Sequence, residues 1–234
     1  MRYLHPVQAH EVFVAGGEYR FFKDGRTLDK TETWVIHEHP DGGRFTRIDV
    51  DARRSEGKSI LVEALQGGDG QFLRLDIRYE NAQFEGGIKD LRASYQFAGS
   101  TLRVGYNLNG AERQYAEVKL LPDALIDIPL LIFRGSTIET IAEWGEQDRP
   151  LFVLMYEHAQ LFPGTLKLVG PAAEFAGEDN LVLGKRHIPV RRYTYRNQAL
   201  AYWIDRHSVV IKRVNAFKGQ EFVVKISNYA MPPG

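Results

Sequence analysis

The sequence contains no cysteine and no excess of charge of either sign. The absence of cysteine excludes disulfide bonds, thiolate metal ligands and a cysteine nucleophile. The 30 lysine and arginine residues balance the 30 aspartate and glutamate residues. Because neutralising phosphate groups requires a clustered positive excess, this balance argues against nucleic acid as a partner.

Long hydrophobic runs are also missing. The longest, at residues 128–133 and 151–156, are much shorter than the about 20 apolar residues that a membrane-spanning helix requires. Residues 1–6 lack the apolar centre of a secretion signal. We therefore expect a protein without a transmembrane segment that resides in the cytoplasm.

The C-terminal part of the chain, residues 188–229, predicts three successive hairpins with turns at residues 196–199, 205–208 and 218–219. Side chains alternate between the two faces of a strand, so each pairing fixes which residues share a face. One face collects Tyr193, Tyr195, Leu200, Tyr202, Ile204, Val209, Ile211, Phe222, Val224 and Ile226. The opposite face collects Arg192, Thr194, Trp203, Asp205, Lys212, Lys225 and Ser227. The pattern predicts a four-stranded sheet with one apolar face.

Particular residue pairs follow from those turns. The first predicts Tyr193 opposite Tyr202, and the second predicts Tyr202 opposite Ile211. The third predicts Arg213 opposite Val224.

The N-terminal half shows the same alternation between turn signals. Hairpins are predicted at residues 24–25, 40–43, 67–70 and 99–100, where Asp, Gly and Pro cluster. The turn at residues 40–43 predicts Val35 opposite Ile48 and Trp34 opposite Asp49, and the turn at residues 99–100 predicts Tyr95 opposite Val104. After residues 109–110 the register places Val118 and Leu120 on the wrong face, which a β-bulge would correct.

The strand pattern breaks between residues 122 and 149. Ser136 and Glu139 have the spacing of a capping box, which predicts a helix that begins at Ser136 and ends near Gly145. Strands are expected again at residues 151–157 and 165–169, followed by a loop over residues 171–180.

These elements predict a mainly β protein with a single domain over residues 1–234. Its core would be one large antiparallel curved sheet or incomplete barrel of about a dozen strands, because long sheets curl and free edges are costly. The helical insertion at about residues 122–149 would act as a plug. Large barrels enclose more space than side chains can fill and therefore tend to hold a ligand.

Several polar motifs have both a chemical and a structural interpretation. His37 and His39 share one face of a strand and could bind a metal, or they could mark an exposed hairpin end. Asp49 and Asp51 could work as an acid–base pair, although nearby arginines favour a solvated, cross-paired face. The turn at residues 205–208 holds Asp, His and Ser, but its residues are too close in sequence for triad geometry. The glycine-rich residues 67–70 lack the lysine and spacing of a phosphate loop and are interpreted as a hairpin turn.

Tyrosines on the apolar face are the most informative candidates for a binding site. Tyr193, Tyr195 and Tyr202 share that face, and Tyr95 and Tyr106 join them if the sheet is continuous. A buried tyrosine hydroxyl needs a partner, which a ligand or water could supply. The alternative is an aromatic core whose hydroxyls reach the backbone or the surface.

The C-terminal strands also resemble a known superfamily. The features are Tyr193-Thr194-Tyr195 at the end of a basic strand, the segment 201–205, a strand ending near Arg213, and a final strand running into residues 227–229. Together with the central helical break, they are similar to the closing strands of the lipoprotein-localisation-factor (LolA-like) superfamily. This resemblance implies an incomplete barrel over a helical plug that binds acyl chains or other apolar ligands. Some proteins with that fold act as cofactor-free enzymes.

The sequence thus leads to a principal hypothesis and two alternatives. We expect binding of an apolar or amphipathic, lipid-like small molecule in the concavity of the sheet, with no metal and no cofactor. The expected ligand-binding residues are Tyr193, Tyr195, Tyr202, Ile204, Ile211, Phe222, Tyr95, Tyr106 and Arg191. The first alternative is a cofactor-free isomerase, cyclase or hydrolase in the same cavity, and the second is an interaction module that uses the polar outer face.

Overall fold

Strands dominate the structure, a computed structural model that describes residues 1–83, 88–145, 147–157, 162–170, 172–195, 199–217 and 219–230. The strands are β1 (Val12–Lys23), β2 (Arg26–Glu38), β3 (Arg44–Ala52), β4 (Lys58–Gln66), β5 (Phe72–Asn81), β6 (Asp90–Ala98), β7 (Thr101–Leu108), β8 (Gln114–Lys119), β9 (Leu125–Asp127), β10 (Arg149–Leu154), β11 (Gly164–Val169), β12 (Ala173–Leu183), β13 (Arg186–Tyr195), β14 (Leu200–Asp205), β15 (Val210–Phe217) and β16 (Gln220–Ala230). The helix α1 spans Leu131–Glu143.

Most of these strands form one 13-stranded antiparallel sheet in the order β12-β13-β14-β15-β16-β1-β2-β3-β4-β5-β6-β7-β8. The last strand of the chain, β16, pairs with β1, so the C-terminal hairpins continue directly into the N-terminal ones. The curved sheet leaves β12 and β8 as its edges and does not close. The predicted fold class is confirmed: a mainly β chain with one large antiparallel curved sheet and one short helix. Among the described residues, no helix is both long and apolar enough to cross a bilayer.

A second, smaller sheet lies in the layer that covers the inner face of the main sheet. It has the order β11-β10-β9, and β9 pairs with β10 in parallel. The sequence pattern predicts β10 and β11 but not β9, which is only three residues long and shows no alternation. Helix α1 and this small sheet share one apolar core with the main sheet, through residues such as Ile138, Leu151 and Phe152.

Helix α1 begins earlier than the capping box predicts. Its N-cap is Leu130, and the Ser136 hydroxyl donates to the carbonyl oxygen of Phe133 at 3.0 Å. The predicted start at Ser136 is therefore wrong. The reason is tertiary: the free amides of the first turn are bonded by Glu32 of β2, so a local cap is unnecessary. Such a partner 99 residues away leaves no local signal.

The loop predicted over residues 171–180 is also wrong. Residue 171 lies outside the described residues, and residues 173–180 begin β12, which pairs with β13 and contains a register shift between Phe175 and Gly177. The segment is polar because it is an edge strand, and charged side chains discourage further pairing along an edge. The polar residues that suggest a loop in the sequence therefore keep the edge strand β12 from pairing with further strands.

The predicted registers are partly confirmed. Tyr193 lies opposite Tyr202, Arg213 opposite Val224, and Tyr95 opposite Val104. The register from β7 to β8 places Val118 opposite Leu102 without the bulge we expected, because residues 109–113 make a longer loop.

Two predicted registers are wrong. Trp34 lies opposite Ile48 rather than Asp49, a shift of one residue between β2 and β3. Tyr202 lies opposite Arg213 rather than Ile211, because the pairing of β14 with β15 shifts between Trp203 and Ile204. The second shift matters for function, because it places the Arg213 guanidinium in a row of inward-facing apolar residues.

Asp205 departs from its predicted face as well. It was expected among exposed residues of the outer side, yet only 1% of it is exposed. Its carboxylate accepts hydrogen bonds from the Tyr229 hydroxyl at 2.7 Å and from the amide of Val209 at 2.9 Å. The carboxylate closes the β14–β15 turn and also supplies the partner that a buried tyrosine needs.

Candidate functional site

A cavity of about 310 Å³ lies between the inner face of the main sheet and the first turn of α1. We call it the α1 cavity. It is lined by Phe21, Lys30, Glu32, Val50, Ile60, Pro129, Leu130, Leu131, Leu154, Met155, Tyr156, Glu157 and Arg213. Its volume is at the lower end of the range of small-molecule sites, and its walls are mostly apolar with a few convergent polar groups.

Strand registers bring the sheet side of the α1 cavity together. Glu32 pairs with Val50, and Val50 pairs with Ile60, so all three point inward. Farther along, Phe21 pairs with Val224, which pairs in turn with Arg213. The opposite wall forms where Pro129 and Leu130 lead the chain into α1, since proline is accommodated before a helix but not within one.

Glu32 is the buried acid of the α1 cavity. Only 4% of it is exposed, and its Oε1 accepts hydrogen bonds from the amides of Leu131 at 2.8 Å and Ile132 at 3.4 Å. Burial raises the pKa of Glu32 from 4.5 to about 7, although the two amides and the positive charge of Arg213 act in the opposite direction. A carboxylate at a helix N-terminus is favourable, so the same group anchors α1 and titrates near neutral pH.

This pKa predicts that the stability of the protein falls as pH rises. A folded-state pKa above the unfolded value stabilises the fold fully below about pH 4.5, and this contribution is lost as pH approaches 7. Relative to Glu32→Gln, the wild type should lose about 2 kcal/mol of unfolding free energy between about pH 5 and about pH 7.5. Urea unfolding of both proteins at both pH values measures this difference. Parallel pH profiles would show that Glu32 does not titrate in this window.

Arg213 is the half-buried cation of the α1 cavity. Its Nε atom is buried and has no hydrogen-bond acceptor within the described part of the chain. The second cation in the lining, Lys30, is already paired, because its Nζ donates to Glu56 at 3.1 Å and lies 5.3 Å from the centre of the Phe21 ring. Arg213 thus brings to the cavity lining a cation whose buried Nε–H donor has no acceptor among the described residues.

The remaining polar lining comes from residues after β10. Burial raises the pKa of the Tyr156 hydroxyl far above its ordinary value, so this hydroxyl stays protonated. Glu157 lies 3.7 Å from the Nζ of Lys58. Within the described residues, the α1 cavity therefore offers the unpaired Nε–H donor of Arg213 and an acid of raised pKa inside a largely apolar wall.

None of the residues that the sequence predicted to bind ligand lines the α1 cavity. Tyr193 packs edge-on against Phe175, with ring centres 5.7 Å apart. Tyr95 and Tyr106 both contact the Phe162 ring, at 6.3 and 4.7 Å. Phe175 of β12 thus packs on Tyr193, and Phe162, just before β11, packs on Tyr95 and Tyr106.

The other predicted ligand-binding residues are also in contact with protein. Tyr195 and Tyr202 are buried near the Arg134 guanidinium, and Ile204 and Ile211 are buried in the shared core. Phe222 is partly buried, with the Lys23 Nζ 5.3 Å from its ring centre. Arg191 donates to Glu139 of α1. Ligand contact by these residues stays a prediction.

Sequence reasoning missed Glu32 and Arg213, although a signal for Arg213 was present. The predicted pairing of Arg213 with Val224 already implies an arginine on the apolar face. Glu32 alternates with Trp34 in β2, and only the correct β2–β3 register reveals that both face inward. Their meeting with α1 depends on tertiary structure that no local pattern encodes.

Charged side chains on the outer face form ion pairs, and all but Arg2 are buried. We call them the N-terminal charge network: Arg2, Glu11, Arg47, Asp49 and Glu63. Asp49 accepts from the Arg2 side chain at 2.6 Å, so the expectation of a solvated Asp49 is wrong. The chain before β1 lies across β3 and β4 and excludes water from them. That segment has no alternating pattern, so its docking could not be predicted.

His37 and His39 do not form a metal site together. His37 is buried, with its Nδ1 3.3 Å from Arg47 Nη1, whereas His39 Nδ1 lies 2.9 Å from Asp41. The expected exposed hairpin end is therefore wrong for His37. Burial and the neighbouring guanidinium lower the pKa of His37, which keeps it neutral.

A different group, His5, Glu63 and Asp76, has ligand atoms within 4.8 Å of one another. Arginines already occupy its carboxylates: Arg47 Nε lies 3.0 Å from Glu63, and Arg74 Nε lies 2.9 Å from Asp76. Because these guanidinium groups repel a cation, the cluster is better explained as ion pairing.

The turn at residues 205–208 does not form a triad. The Ser208 hydroxyl donates to Glu139 of α1, and the Arg206 side chain donates to His207 Nε2 at 3.1 Å. Asp205 is used by the turn and by Tyr229. Ser208 thus links this turn to α1.

The comparisons with known proteins reveal a similar fold and no family. No protein-family model matches the sequence, and no curated protein matches it. Among solved structures, the chain is similar to the crystal structure of a beta-barrel-like protein of domain of unknown function DUF1849 from Brucella abortus. The TM-score is 0.57 at 11% sequence identity, over 96% of this chain and 100% of that chain. This likeness shows the barrel-like fold alone.

Proposed function

We propose that this chain binds an apolar or amphipathic small molecule in the α1 cavity. The observation that carries the proposal is the composition of the cavity: apolar walls from β1, β3, β4 and the start of α1 surround the unpaired Nε–H donor of Arg213 and a buried carboxyl group. Sites of this kind bind ligands through apolar contact and orient them through a few polar groups. The proposal moves the ligand from the predicted tyrosine wall to the neighbouring part of the same sheet face.

Apolar contact would provide most of the affinity. A ligand that buries roughly 200 Å² of apolar surface gains about 5 kcal/mol at ~25 cal/mol per Å². At about 310 Å³ the cavity suits a small molecule or one segment of a longer lipid-like ligand. The resemblance of the closing strands to the LolA-like superfamily, whose members bind acyl chains, supports the same class of ligand.

A cofactor-free enzyme is the second candidate, and Glu32 is the observation that favours it. A carboxyl group with a pKa of about 7 can both donate and accept a proton near neutral pH. Its Oε1 holds the first turn of α1, which leaves Oε2 for a bound molecule. Proton transfer within a substrate, as in an isomerase or a cyclase, is the chemistry such a group supports. Turnover that Glu32→Gln abolishes without loss of binding would distinguish an enzyme from a carrier.

Filling the α1 cavity should abolish ligand binding. In Ile60→Trp, a larger ring would project from β4 into the cavity, and we expect displacement of a hydrophobic fluorescent dye by decanoic acid to disappear. Leu73→Trp is the matched control, because Leu73 of β5 is 48% exposed and lies outside the cavity. Thermal melting should first show that both variants are folded. Equal binding by Ile60→Trp and the wild type would place the ligand elsewhere.

A further inference from the structure

The buried Nε–H donor of Arg213, which has no acceptor among the described residues, indicates what kind of head group the α1 cavity accepts. A buried donor without a partner costs free energy, so such groups in native proteins call for a partner. Arg213 sits in a row of inward-facing residues between Tyr202 and Val224, where the sheet itself supplies only side chains without an anionic group. The acceptor that satisfies it must come from the cavity side.

Glu32, an inward-facing acid that senses the charge of Arg213, is not that acceptor. Glu32 interacts with Arg213 through its charge, but no ion pair within 4 Å joins them in the described part of the chain, and its Oε1 is bonded to α1. Glu157, at the other side of the lining, is near Lys58. Both acids hold positions set by other contacts, which leaves the guanidinium open to a bound molecule.

We propose that the ligand of the α1 cavity is a monocarboxylic acid with an apolar body, whose carboxylate binds Arg213. This inference rests on the proposed function and adds the chemical class of the head group. The planar guanidinium fork matches a carboxylate in two parallel hydrogen bonds. A phosphate dianion fits less well, because Glu32 and Glu157 line the same space and the second cation, Lys30, is already paired with Glu56.

The apolar body of the ligand would point away from Arg213. Val50, Ile60 and Leu154 provide the wall on that side, and Met155 adds a flexible thioether that adapts to different chain shapes. Glu32 would face the head group in its protonated form, in which it can donate a hydrogen bond to a second carboxylate oxygen.

The test is isothermal titration calorimetry of the full-length protein with decanoic acid, decan-1-ol and decyl phosphate. We expect decanoic acid to bind about 10- to 100-fold more tightly than decanol, the range for hydrogen bonds to a charged group. Arg213→Met should remove that preference while keeping the affinity for decanol. Arg213→Lys should retain part of it. Lys212→Met, on the outer face next to Arg213, is the control and should leave all three affinities unchanged.

Each opposing outcome has a distinct meaning. Equal affinity for acid and alcohol, unchanged decanoic acid binding in Arg213→Met, or preference for decyl phosphate would overturn the carboxylate proposal and leave the binding function standing. If Arg213→Met does not fold, Arg213→Lys decides instead. A reduced preference for decanoic acid over decanol supports the carboxylate proposal, and an unchanged preference overturns it. If none of the probes binds and a hydrophobic dye does not bind either, both the head-group proposal and the proposed function fall.

Discussion

Replacing Arg47 with methionine is expected to lower the unfolding free energy by about 4 kcal/mol. Arg47 donates to Glu11 at 2.7 Å and to Glu63 at 3.0 Å, and the side chains of all three are 2–3% exposed. Removing the guanidinium leaves the buried Glu11 carboxylate with the amide of Gln8 at 3.3 Å, and leaves Glu63 with His5 Nδ1 at 3.1 Å and Arg74 at 3.6 Å. Breaking a buried ion pair from one side is strongly destabilising, whereas surface pairs contribute little.

Chemical denaturation measures this loss, and the chain provides a matched control. Arg44 is in the same strand and its guanidinium lies 3.7 Å from Glu38, but its side chain is 59% exposed. Arg44→Met should change the unfolding free energy by less than about 1 kcal/mol. In the Arg47→Met background, Glu11→Gln and Glu63→Gln together should recover part of the loss. A small effect of Arg47→Met would mean that water reaches the N-terminal charge network.

Replacing Gly135 with alanine should destabilise the protein, although the same change usually strengthens a helix. Alanine in a helix interior is favoured over glycine by about 1 kcal/mol. At Gly135, however, an added Cβ would lie 1.9 Å from the carbonyl oxygen of Ser208 and 3.3 Å from Ile204 Cγ2. The nearest obstacle is backbone, so α1 must move away from the sheet. We expect a net loss of about 3 kcal/mol.

Thermal and urea unfolding test the sign of this effect. Ser136→Ala, at the exposed neighbouring position, is the control and should change stability by less than about 0.5 kcal/mol. Because α1 forms one wall of the α1 cavity, Gly135→Ala should also weaken dye binding. Stabilisation by Gly135→Ala would show that α1 does not approach the β14–β15 turn this closely.

The position of α1 is determined by polar contacts that span the inner face. Glu32 of β2 bonds the amides at its start, Arg134 pairs with Asp127 at 2.8 Å, and Glu139 bonds Arg191 and Ser208 near its end. Buried polar contacts of this kind specify one arrangement, because any other leaves charges unpaired. They also explain why the cavity lies beside the first turn of α1 and not beneath the tyrosines.

Much of the fold could be predicted from the sequence, because alternation and turn residues are local signals. The pairing of Tyr193 with Tyr202 and the hairpin at residues 24–25 follow from them directly. What could not be predicted depends on partners distant in sequence. Glu32 of β2 accepts the hydrogen bond that a local cap residue would accept at the start of α1. Residues before β1 cover Asp49.

The candidate site was harder to predict than the fold for the same reason. Alternation identifies a face that points inward, but it does not tell which part of that face the inserted layer covers. Phe175 of β12 packs beside Tyr193, Phe162 before β11 packs beside Tyr95, and a gap remains beside Arg213. The β2–β3 register differs by one residue from the predicted one, and this difference hid the inward direction of Glu32. The register shift between β14 and β15 places Arg213 opposite Tyr202, beside this gap.

The most direct test of ligand binding in the α1 cavity is NMR of isotope-labelled methionine methyl groups. The chain has three methionines, of which Met155 lines the cavity and Met1 is exposed on the outer face. Met155→Leu assigns the relevant signal. On titration with decanoic acid, the Met155 methyl signal should shift to saturation while the Met1 signal stays in place. Saturable binding with an unmoved Met155 signal would contradict a ligand site between α1 and the sheet.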